Sequence, residues 1–218
     1  MNNNIDYYKI LKDWCQTLGL KITDEEINKF RAYAQLICNW NTKINLISRK
    51  DVDRIVSYHF IDSVSSVGLI SYGAQVADLG SGAGLPGIPV KIVRPDINLT
   101  LIESIKKKAR FLEETIKLLN LSNTQVLAAR AEMISNGLFD TMLVRLVGKI
   151  KDILKIVSPL LKVKGLVIFY KSQQVNSEIK AAQRVALKKH FVLSQVNEVI
   201  LPCTHIIREF VVYTKVSD

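Results

Sequence analysis

The stretch Val76–Val90, "VADLGSGAGLPGIPV", places four glycines and two prolines directly after the start of an apolar run. Glycines allow the chain to turn sharply and allow a ligand to lie against the backbone. Pro86 suits the first turn of a helix, where a missing N–H is not needed. The stretch therefore predicts a strand, a tight ligand-binding turn and the beginning of a helix.

The spacing of the glycines and the nearby acids indicate the kind of ligand. Gly80, Gly82 and Gly84 form a GxGxG pattern, whereas dinucleotide folds use GxGxxG, and no Lys-Ser or Lys-Thr follows as in a phosphate-binding P-loop. The Asp78 carboxylate favours a cationic ligand, such as the amino group of S-adenosylmethionine, although Asp78 alternatively only caps the turn. Glu103 lies roughly twenty residues further on, the offset at which an acid meets ribose hydroxyls.

Composition and charge limit the class of protein. The chain has 218 residues and a net charge of +10, which favours a polyanionic partner, with a merely solvated basic surface as the alternative. Its three cysteines are far apart and include no CxxC pair, so neither a disulfide framework nor a metal site is expected. The N-terminus is too polar for a signal peptide, and no apolar run is long enough to span a membrane. We therefore expect a cytoplasmic protein without membrane association.

Hydrophobic periodicity divides the chain in two. Residues 1–70 predict a helical extension, with helices over Tyr7–Leu18, after the capping box of Thr23 and Glu26, and over about 52–67. Residues 71–218 alternate strands and helices, which predicts an α/β fold with a mostly parallel sheet. The predicted strands are Gln75–Leu79, Leu99–Glu103, Thr124–Leu127, Thr141–Arg145, Gly165–Tyr170, Phe191–Val199 and Ile206–Tyr213, and the predicted helices between them are Pro86–Val93, Ile105–Asn120, Lys149–Leu161 and Asn176–Lys188.

The last two predicted strands are separated only by a short segment that includes "LPCTH". Because this gap is too short for a crossover helix, the two strands should pair as an antiparallel hairpin. A seven-stranded, mostly parallel sheet that ends in such a hairpin is typical of Rossmann-like class I methyltransferases. The extension would then precede an S-adenosylmethionine-binding domain.

Several stretches resemble one family over most of the chain. "GSGAGLPGIPVKIVRPDINLTLIESIKKKARFLEE", residues 80–114, is similar to the glucose-inhibited division protein B family, the bacterial 16S rRNA guanine-N7 methyltransferases. "NWNTKINLIS" at 39–48, "HFIDS" at 59–63, "ARAE" at 129–132, "FYKS" at 169–172 and "IREFVVYTK" at 207–215 resemble further blocks of that family. The resemblance implies a transferase that uses S-adenosylmethionine and acts on 16S rRNA or on the small ribosomal subunit particle.

The resemblance also implies site residues. It places cofactor contacts at Gly80, Leu85, Ala131, Glu132 and Arg145, and it places Arg145, the candidate catalytic residue, next to the reactive methyl group. N7 of guanine has a free lone pair and no proton, so we assign Arg145 a positioning role and expect no general base. Departures from the family are Leu146 in place of the usual alanine, Ser172 in place of glycine, and Glu103 where aspartate is common.

The remaining motifs concern RNA and the extension. A basic helix start and two strand residues are expected to form a rim for RNA, with a second cluster beside "NWNTKINLIS"; the first set is Lys106, Lys107, Lys108, Arg110, Lys171 and Arg208, and the second is Arg49, Lys50 and Arg54. Trp40 is predicted to be a core residue and Pro202-Cys203 a turn. The roles of His59 and Asp62 stay open, with fixing of the extension near the cofactor as the favoured one.

Other functions stay open as alternatives. A methyltransferase acting on a small molecule would share the cofactor site but would not need the basic charge. An RNA-binding protein without catalysis would not need an intact glycine loop with Asp78. The glycine spacing argues against a nicotinamide-dependent dehydrogenase. We expect a monomer.

Overall fold

The first two helices begin at the polar residues that the sequence indicates. The computed structural model describes residues 6–134, 137–172, 175–202, 204 and 206–218. Helix α1 (Tyr7–Thr17) is capped by Asp6, whose side chain accepts from two backbone N–H groups. Helix α2 (Asp24–Asn41) begins at the capping box formed by Thr23 and Glu26. Both helices are as predicted, because the caps satisfy backbone donors that the first helical turn leaves free.

The segment after α2 differs from the single helix predicted over about 52–67. It contains a 3₁₀ helix (Arg49–Arg54), a π-helix (Ile55–Phe60), a short helix α3 (Ile61–Val64) and a further 3₁₀ turn (Val67–Leu69). The hydroxyl groups of Ser63 and Ser65 donate to backbone carbonyls four residues earlier, a contact that bends helices. The π-helix has a wider turn than an α-helix, and the segment that contains it buries polar side chains such as His59 and Asp62.

A seven-stranded sheet forms the centre of the fold, in the order β3-β2-β1-β4-β5-β7-β6. The strands are β1 (Gln75–Leu79), β2 (Asn98–Ile102), β3 (Thr124–Leu127), β4 (Phe139–Arg145), β5 (Leu161–Ser172), β6 (Phe191–Ile200) and β7 (Ile207–Lys215). The first five are parallel, and β7 is antiparallel to both β5 and β6. The predicted sheet and its C-terminal hairpin are confirmed.

Four helices connect the strands: α4 (Gly87–Val93), α5 (Lys106–Leu118), α6 (Ile150–Val157) and α7 (Asn176–Lys188). The prediction for α6, which continued to Leu161, is wrong at its end. Pro159 has no N–H to continue a helix, so α6 ends at Val157 and β5 begins at Leu161, earlier than predicted. Helix α4 begins one residue later than expected, with Pro86 as its N-cap.

The core has one apolar cluster on each face of the sheet. The cluster on one face joins residues of the N-terminal helices, such as Tyr33 and Phe60, with Ile88 of α4 and with sheet residues. The cluster on the other face contains residues of α6 and α7. The helices on both sides of residue 70 therefore share one core, and the domain division at this residue stays a prediction.

The sheet order creates a site for a ligand at one edge. From β1 the chain proceeds to β2 and β3 on one side and returns as β4 on the other, so β1 and β4 are neighbours at a topological switch point. Ligands of open α/β sheets bind beyond the carboxyl ends of such strands. Leu79, the last residue of β1, pairs with Val144 of β4. Gly80 and Arg145 directly follow these two residues, so both lie at this edge of the sheet. Among the described helices, none has the length and apolar character needed to cross a bilayer.

Candidate functional site

The glycine loop, residues 80–84, connects β1 to α4 and borders open space. Gly80, Gly82 and Gly84 have φ values of 68°, 57° and 81°, a backbone region that favours glycine. A Cβ at Gly80 would meet Val147 Cγ2 at 2.8 Å, whereas a Cβ at Gly82 would meet only the Gly80 carbonyl oxygen, at 3.8 Å. Gly82 therefore presents free backbone to solvent space, and Gly80 permits close packing.

Two adjoining cavities lie on this loop. The first cavity, of about 500 Å³, is lined by residues 80–83 of the glycine loop, Leu85 and residues 145–147, together with residues 45–49, Asp51, His59 and Lys108. The second cavity, of about 310 Å³, is lined by Ile102, Ser104, residues 129–132, Ile153 and Ile156. Gly80 and Val147 border both cavities, so together they form one elongated cleft.

Asp78 lies buried beneath the glycine loop. Its Oδ2 accepts a hydrogen bond of 3.0 Å from the backbone N–H of Gly87, and its Oδ1 has no protein partner. Burial raises the pKa of the Asp78 carboxyl from its usual 3.8 to about 7. Asp78 therefore caps the turn through Oδ2, and its Oδ1 remains free to accept a hydrogen bond from a ligand.

Glu103 follows β2 and connects the glycine loop to α5. Its Oε2 accepts from the backbone N–H of Gly82 at 2.9 Å, and its Oε1 accepts from the N–H of Ile105 at 2.8 Å. Each oxygen retains capacity for a further hydrogen bond. The strand ends one residue earlier than predicted, at Ile102.

Arg145 is buried at the end of β4 and bound to the N-terminal extension. Its Nε lies 3.0 Å from Asp62 Oδ2, and its Nη2 lies 2.8 Å from His59 Nδ1. Because a guanidinium only donates, His59 Nδ1 is the acceptor and the proton of the ring is on Nε2. Burial, followed by the charge of Arg145, lowers the pKa of His59 to about 3, so the ring is neutral near pH 7. His59 and Asp62 thus hold the extension against Arg145.

Arg208 does not occupy the position expected for an RNA contact. It is buried, and its guanidinium donates to both oxygens of Asp62 at 2.6 and 3.0 Å. We therefore withdraw the prediction of a basic rim at Arg208. The alternation of residues along β7 predicts that Arg208 is buried, because it lies on the same face of the strand as Phe210 and Val212, which belong to the core.

The other predicted RNA residues differ in exposure. Lys171 is partly buried, and its Nζ contacts Glu178 Oε1 at 2.9 Å and the Gly148 carbonyl at 3.2 Å, so it is already paired. Lys107 and Arg110 are exposed on α5, and Lys108 and Arg49 line the first cavity. No ion pair joins Lys106, Lys107, Lys108 or Arg110 to a carboxylate in the part of the chain that the structure describes.

The segment "NWNTKINLIS" forms a wall of the first cavity. Asn41 Oδ1 accepts from the backbone N–H groups of Leu46 and Ile47 at 2.9 and 3.1 Å, which holds the loop in place. The Trp40 ring lies against Phe111, with the ring centroids 5.7 Å apart, so this side chain packs on the core. The Tyr33 hydroxyl donates to the carbonyl of Ala83, which connects α2 directly to the glycine loop.

The remaining predicted residues fall in different parts of the cleft. Ala131 and Glu132 belong to a short 3₁₀ helix after β3 and line the second cavity, and Leu85 lines the first. Gly84 borders neither, because its missing Cβ makes room for Ile88 and Tyr33. The lining residues that the sequence did not predict as contacts include Asp51, which is buried near His59, and Leu146, which was noted only as a departure from the family.

The described residues include no group of three or more His, Cys, Asp or Glu side chains that could hold a metal ion. Cys15 and Cys38 are free thiols, and Cys203, the second residue of the predicted turn, lies outside the described residues. The cleft is thus lined by glycine backbone, the buried Arg145 and the acids Asp51 and Glu132. Asp78 and Glu103 line neither cavity and instead accept hydrogen bonds from the backbone N–H groups of Gly87 and Gly82.

Comparisons with solved structures agree with this fold. The AdoMet complex of M. jannaschii TYW2 superposes with a TM-score of 0.60 at 16% identity, covering 80% of each chain. A predicted O-methyltransferase from Agrobacterium tumefaciens superposes with a TM-score of 0.58 at 18% identity, covering 72% of this chain and 80% of that one. At these identities the likeness shows the Rossmann-like methyltransferase fold.

Comparisons of sequence show the family. Ribosomal RNA small subunit methyltransferase G of Carboxydothermus hydrogenoformans is 35% identical over 217 residues, 95% of this chain and 91% of that protein. The protein of the same name from Desulfitobacterium hafniense is 35% identical over 174 residues, 78% and 72% of the two chains. The family model GidB, described as rRNA small subunit methyltransferase G, matches residues 26–207, which confirms the resemblance seen in the sequence. The chain therefore belongs to the rRNA small subunit methyltransferase G family.

Proposed function

We propose that this protein transfers a methyl group from S-adenosylmethionine to N7 of a guanosine in 16S rRNA. The observation that supports this most strongly is the cleft at the carboxyl ends of β1 and β4. It is lined by an open glycine loop and by Arg49, Lys108 and Arg145, and Asp78 Oδ1 beneath the loop is a buried acceptor without a partner. The chain that carries it belongs to a small-subunit rRNA methyltransferase family. The substrate class follows from the family together with the net charge of +10.

The residues present fit S-adenosylmethionine. The backbone of Gly82 borders free space that any side chain would fill, and Asp78 Oδ1 is a buried acceptor without a partner. An ammonium group is the natural partner of such an acceptor. We assign Asp78, Gly80, Gly82 and Leu85 to the amino-acid part of the cofactor, Glu103 to its ribose, and Ala131 and Glu132 in the second cavity to its adenine. Gly84 allows Ile88 and Tyr33 to pack against the glycine loop, because it has no Cβ.

Methyl transfer to N7 requires little acid–base chemistry from the protein. When bound, S-adenosylmethionine supplies an electrophilic methyl group on a sulfonium. Attack by the N7 lone pair would break the bond between the methyl carbon and sulfur and leave its electron pair on sulfur, so no residue of the cleft would have to move a proton. Orientation of the base in line with the methyl group can supply much of the acceleration. His59 is neutral and its Nδ1 accepts from Arg145, which agrees with a mechanism without a general base.

Arg145 would position the base or an adjoining phosphate. A cation beside N7 opposes the positive charge that methylation creates on the guanine. The carboxylate of Asp62, 3.0 Å from Arg145 Nε, reduces this effect. His59 and Asp62 are therefore positioning residues that keep the guanidinium at one wall of the first cavity.

The substrate would be either naked 16S rRNA or the small ribosomal subunit particle, and the enzyme would act as a monomer in the cytoplasm. The direct experiment incubates the protein with methyl-labelled S-adenosylmethionine and 16S rRNA from cells that lack the protein, both as free RNA and as particles. The expected product is 7-methylguanosine, identified by mass spectrometry of the nucleosides. Label in a different nucleoside, or none in either substrate, would refute the proposal.

A matched pair of variants tests the cofactor site. Asparagine tolerates positive φ better than other side chains, so Gly82→Asn and Gly73→Asn introduce similar strain. Gly73 has a φ of 67° and nothing within 4 Å of a Cβ, and it lies away from the cleft at the start of β1. We expect Gly82→Asn to abolish cofactor binding in calorimetry and Gly73→Asn to retain it. Equal binding by both variants would remove the glycine loop from the cofactor site.

A further inference from the structure

Leu146 is the most exposed apolar side chain at the candidate site. It directly follows Arg145, lines the first cavity and is 87% exposed. Its φ is 60°, in the left-handed region that is unfavourable for a leucine. The chain therefore presents an apolar side chain to solvent from a strained backbone, at the mouth of the cleft.

Contacts on both sides hold this backbone in place. Arg145 is bound by Asp62 and His59. Val147 packs against Gly80, whose Cβ position lies only 2.8 Å from Val147 Cγ2. Strained residues persist where the surrounding structure determines their conformation, and they cluster at sites that contact ligands. The strain at Leu146 is thus imposed by the turn and keeps its side chain out of the core.

The surroundings of Leu146 indicate what would cover it. Arg49, Lys108 and Arg145 line the same cavity, so an apolar surface lies among cations. A nucleobase flanked by phosphates has the matching chemistry, because its face is apolar and planar while its backbone is anionic. An apolar protein surface would match Leu146 but would offer no anion to Arg49 and Lys108, whereas Arg145 is already paired with Asp62.

We propose that Leu146 packs against the face of the target guanine and holds the base in the first cavity for attack by N7. This inference rests on the proposed function and adds a substrate contact to it. The turn would hold Leu146 ready for this contact, so the protein need not rearrange to cover the base. Leu146 would then affect the use of RNA without affecting the binding of cofactor.

Variants at this position separate the proposal from a structural role. Leu146→Gly relieves the positive φ, so its midpoint of urea unfolding should be equal to or above that of the wild type. We expect its cofactor affinity to be unchanged and its kcat/KM for 16S rRNA to fall at least tenfold, while Leu146→Met retains most of the activity. Leu187, an exposed leucine on α7, provides the control, and Leu187→Ala should behave as wild type. A Leu146→Gly enzyme with unchanged kcat/KM would overturn the proposal.

A binding readout distinguishes failure of this contact from failure of the proposed reaction. In Leu146→Trp, stacking with a base should quench the added tryptophan emission when a 16S rRNA fragment binds, after subtraction of the wild-type signal from Trp14 and Trp40. Quenching without methylation by the wild type would refute the reaction but support the contact. Unquenched emission on a saturating RNA fragment would refute the contact even if the wild type methylates.

Discussion

Asp62 and Arg208 lie 146 residues apart in the chain and form a buried ion pair with two hydrogen bonds, of 2.6 and 3.0 Å. The same carboxylate lies 3.0 Å from Nε of Arg145. One fully buried carboxylate is thus shared by two guanidinium groups, one from β4 and one from β7. This arrangement connects the N-terminal extension to the sheet at the edge that carries the candidate site.

Removal of Asp62 should destabilise the protein strongly. Asp62→Ala would leave two buried guanidinium groups without their shared counter-charge, and such a loss costs about 3–5 kcal/mol of the free energy of unfolding. Urea unfolding measures the change. Asp13→Ala removes an exposed pair with Lys9 and should leave the unfolding midpoint nearly unchanged. A loss below about 1 kcal/mol for Asp62→Ala would show that the pairs contribute little to folding.

The affinity for S-adenosylmethionine should rise with pH through the titration of Asp78. Its pKa is raised to about 7 by burial, so the carboxylate becomes fully charged only above that pH. An ammonium ligand favours the charged form, so we expect tighter binding at pH 7.5 than at pH 6, measured by calorimetry. Asp78→Asn should bind weakly with a flatter pH dependence. Parallel pH profiles for the two proteins would show that Asp78 does not face the ammonium.

The same raised pKa has a consequence for the stability of the free protein. In the window between 3.8 and about 7, the folded state holds a proton on Asp78 that the unfolded chain releases. The contribution of this group to the free energy of unfolding is therefore present at low pH and is lost as the pH rises to about 7. The difference in unfolding free energy between wild type and Asp78→Asn, measured at several pH values, should change in that direction.

Glu103→Gln should loosen the glycine loop. The glutamate accepts from the N–H groups of Gly82 and Ile105, whereas a glutamine places its NH₂ group against one of them. We expect the Kd for S-adenosylmethionine to increase about tenfold, equivalent to about 1.4 kcal/mol. Glu113→Gln, an exposed change on α5, is the control. Equal dissociation constants for Glu103→Gln and wild type would argue against any role of Glu103 in the cofactor site.

The lysines at the beginning of α5 should contribute to RNA affinity. Replacing Lys107 and Lys108 by alanine should weaken binding of 16S rRNA and reduce the slope of log K against log salt concentration by about 2. A salt series of filter-binding measurements gives both quantities. Lys188 and Lys189, at the end of α7, form the matched double variant and should change neither. An unchanged slope for the α5 variant would place these lysines outside the RNA footprint.

Most of the sheet could be predicted from the sequence, but little of the buried network of polar side chains could. Strands such as β1 and β4 were predictable because apolar runs end at glycines and charged residues, and the short final gap required a hairpin. The predicted end of α6 was wrong because the predicted helix continued past Pro159, which has no N–H to donate within a helix. The π-helix and the partners of Asp62 could not be predicted, because they depend on contacts across 146 residues and not on local pattern. For the candidate site, the glycine loop was predictable, whereas the pairing of Arg208 was not.

The hydrogen bond from Tyr33 to Ala83 joins the extension to the glycine loop, which lines the cleft. The N-terminal segment of such an enzyme could not be replaced on its own, because a new segment would also have to supply a hydroxyl group for the carbonyl of Ala83 in the glycine loop. A change in the extension that served a new RNA target would therefore also change the support of the glycine loop.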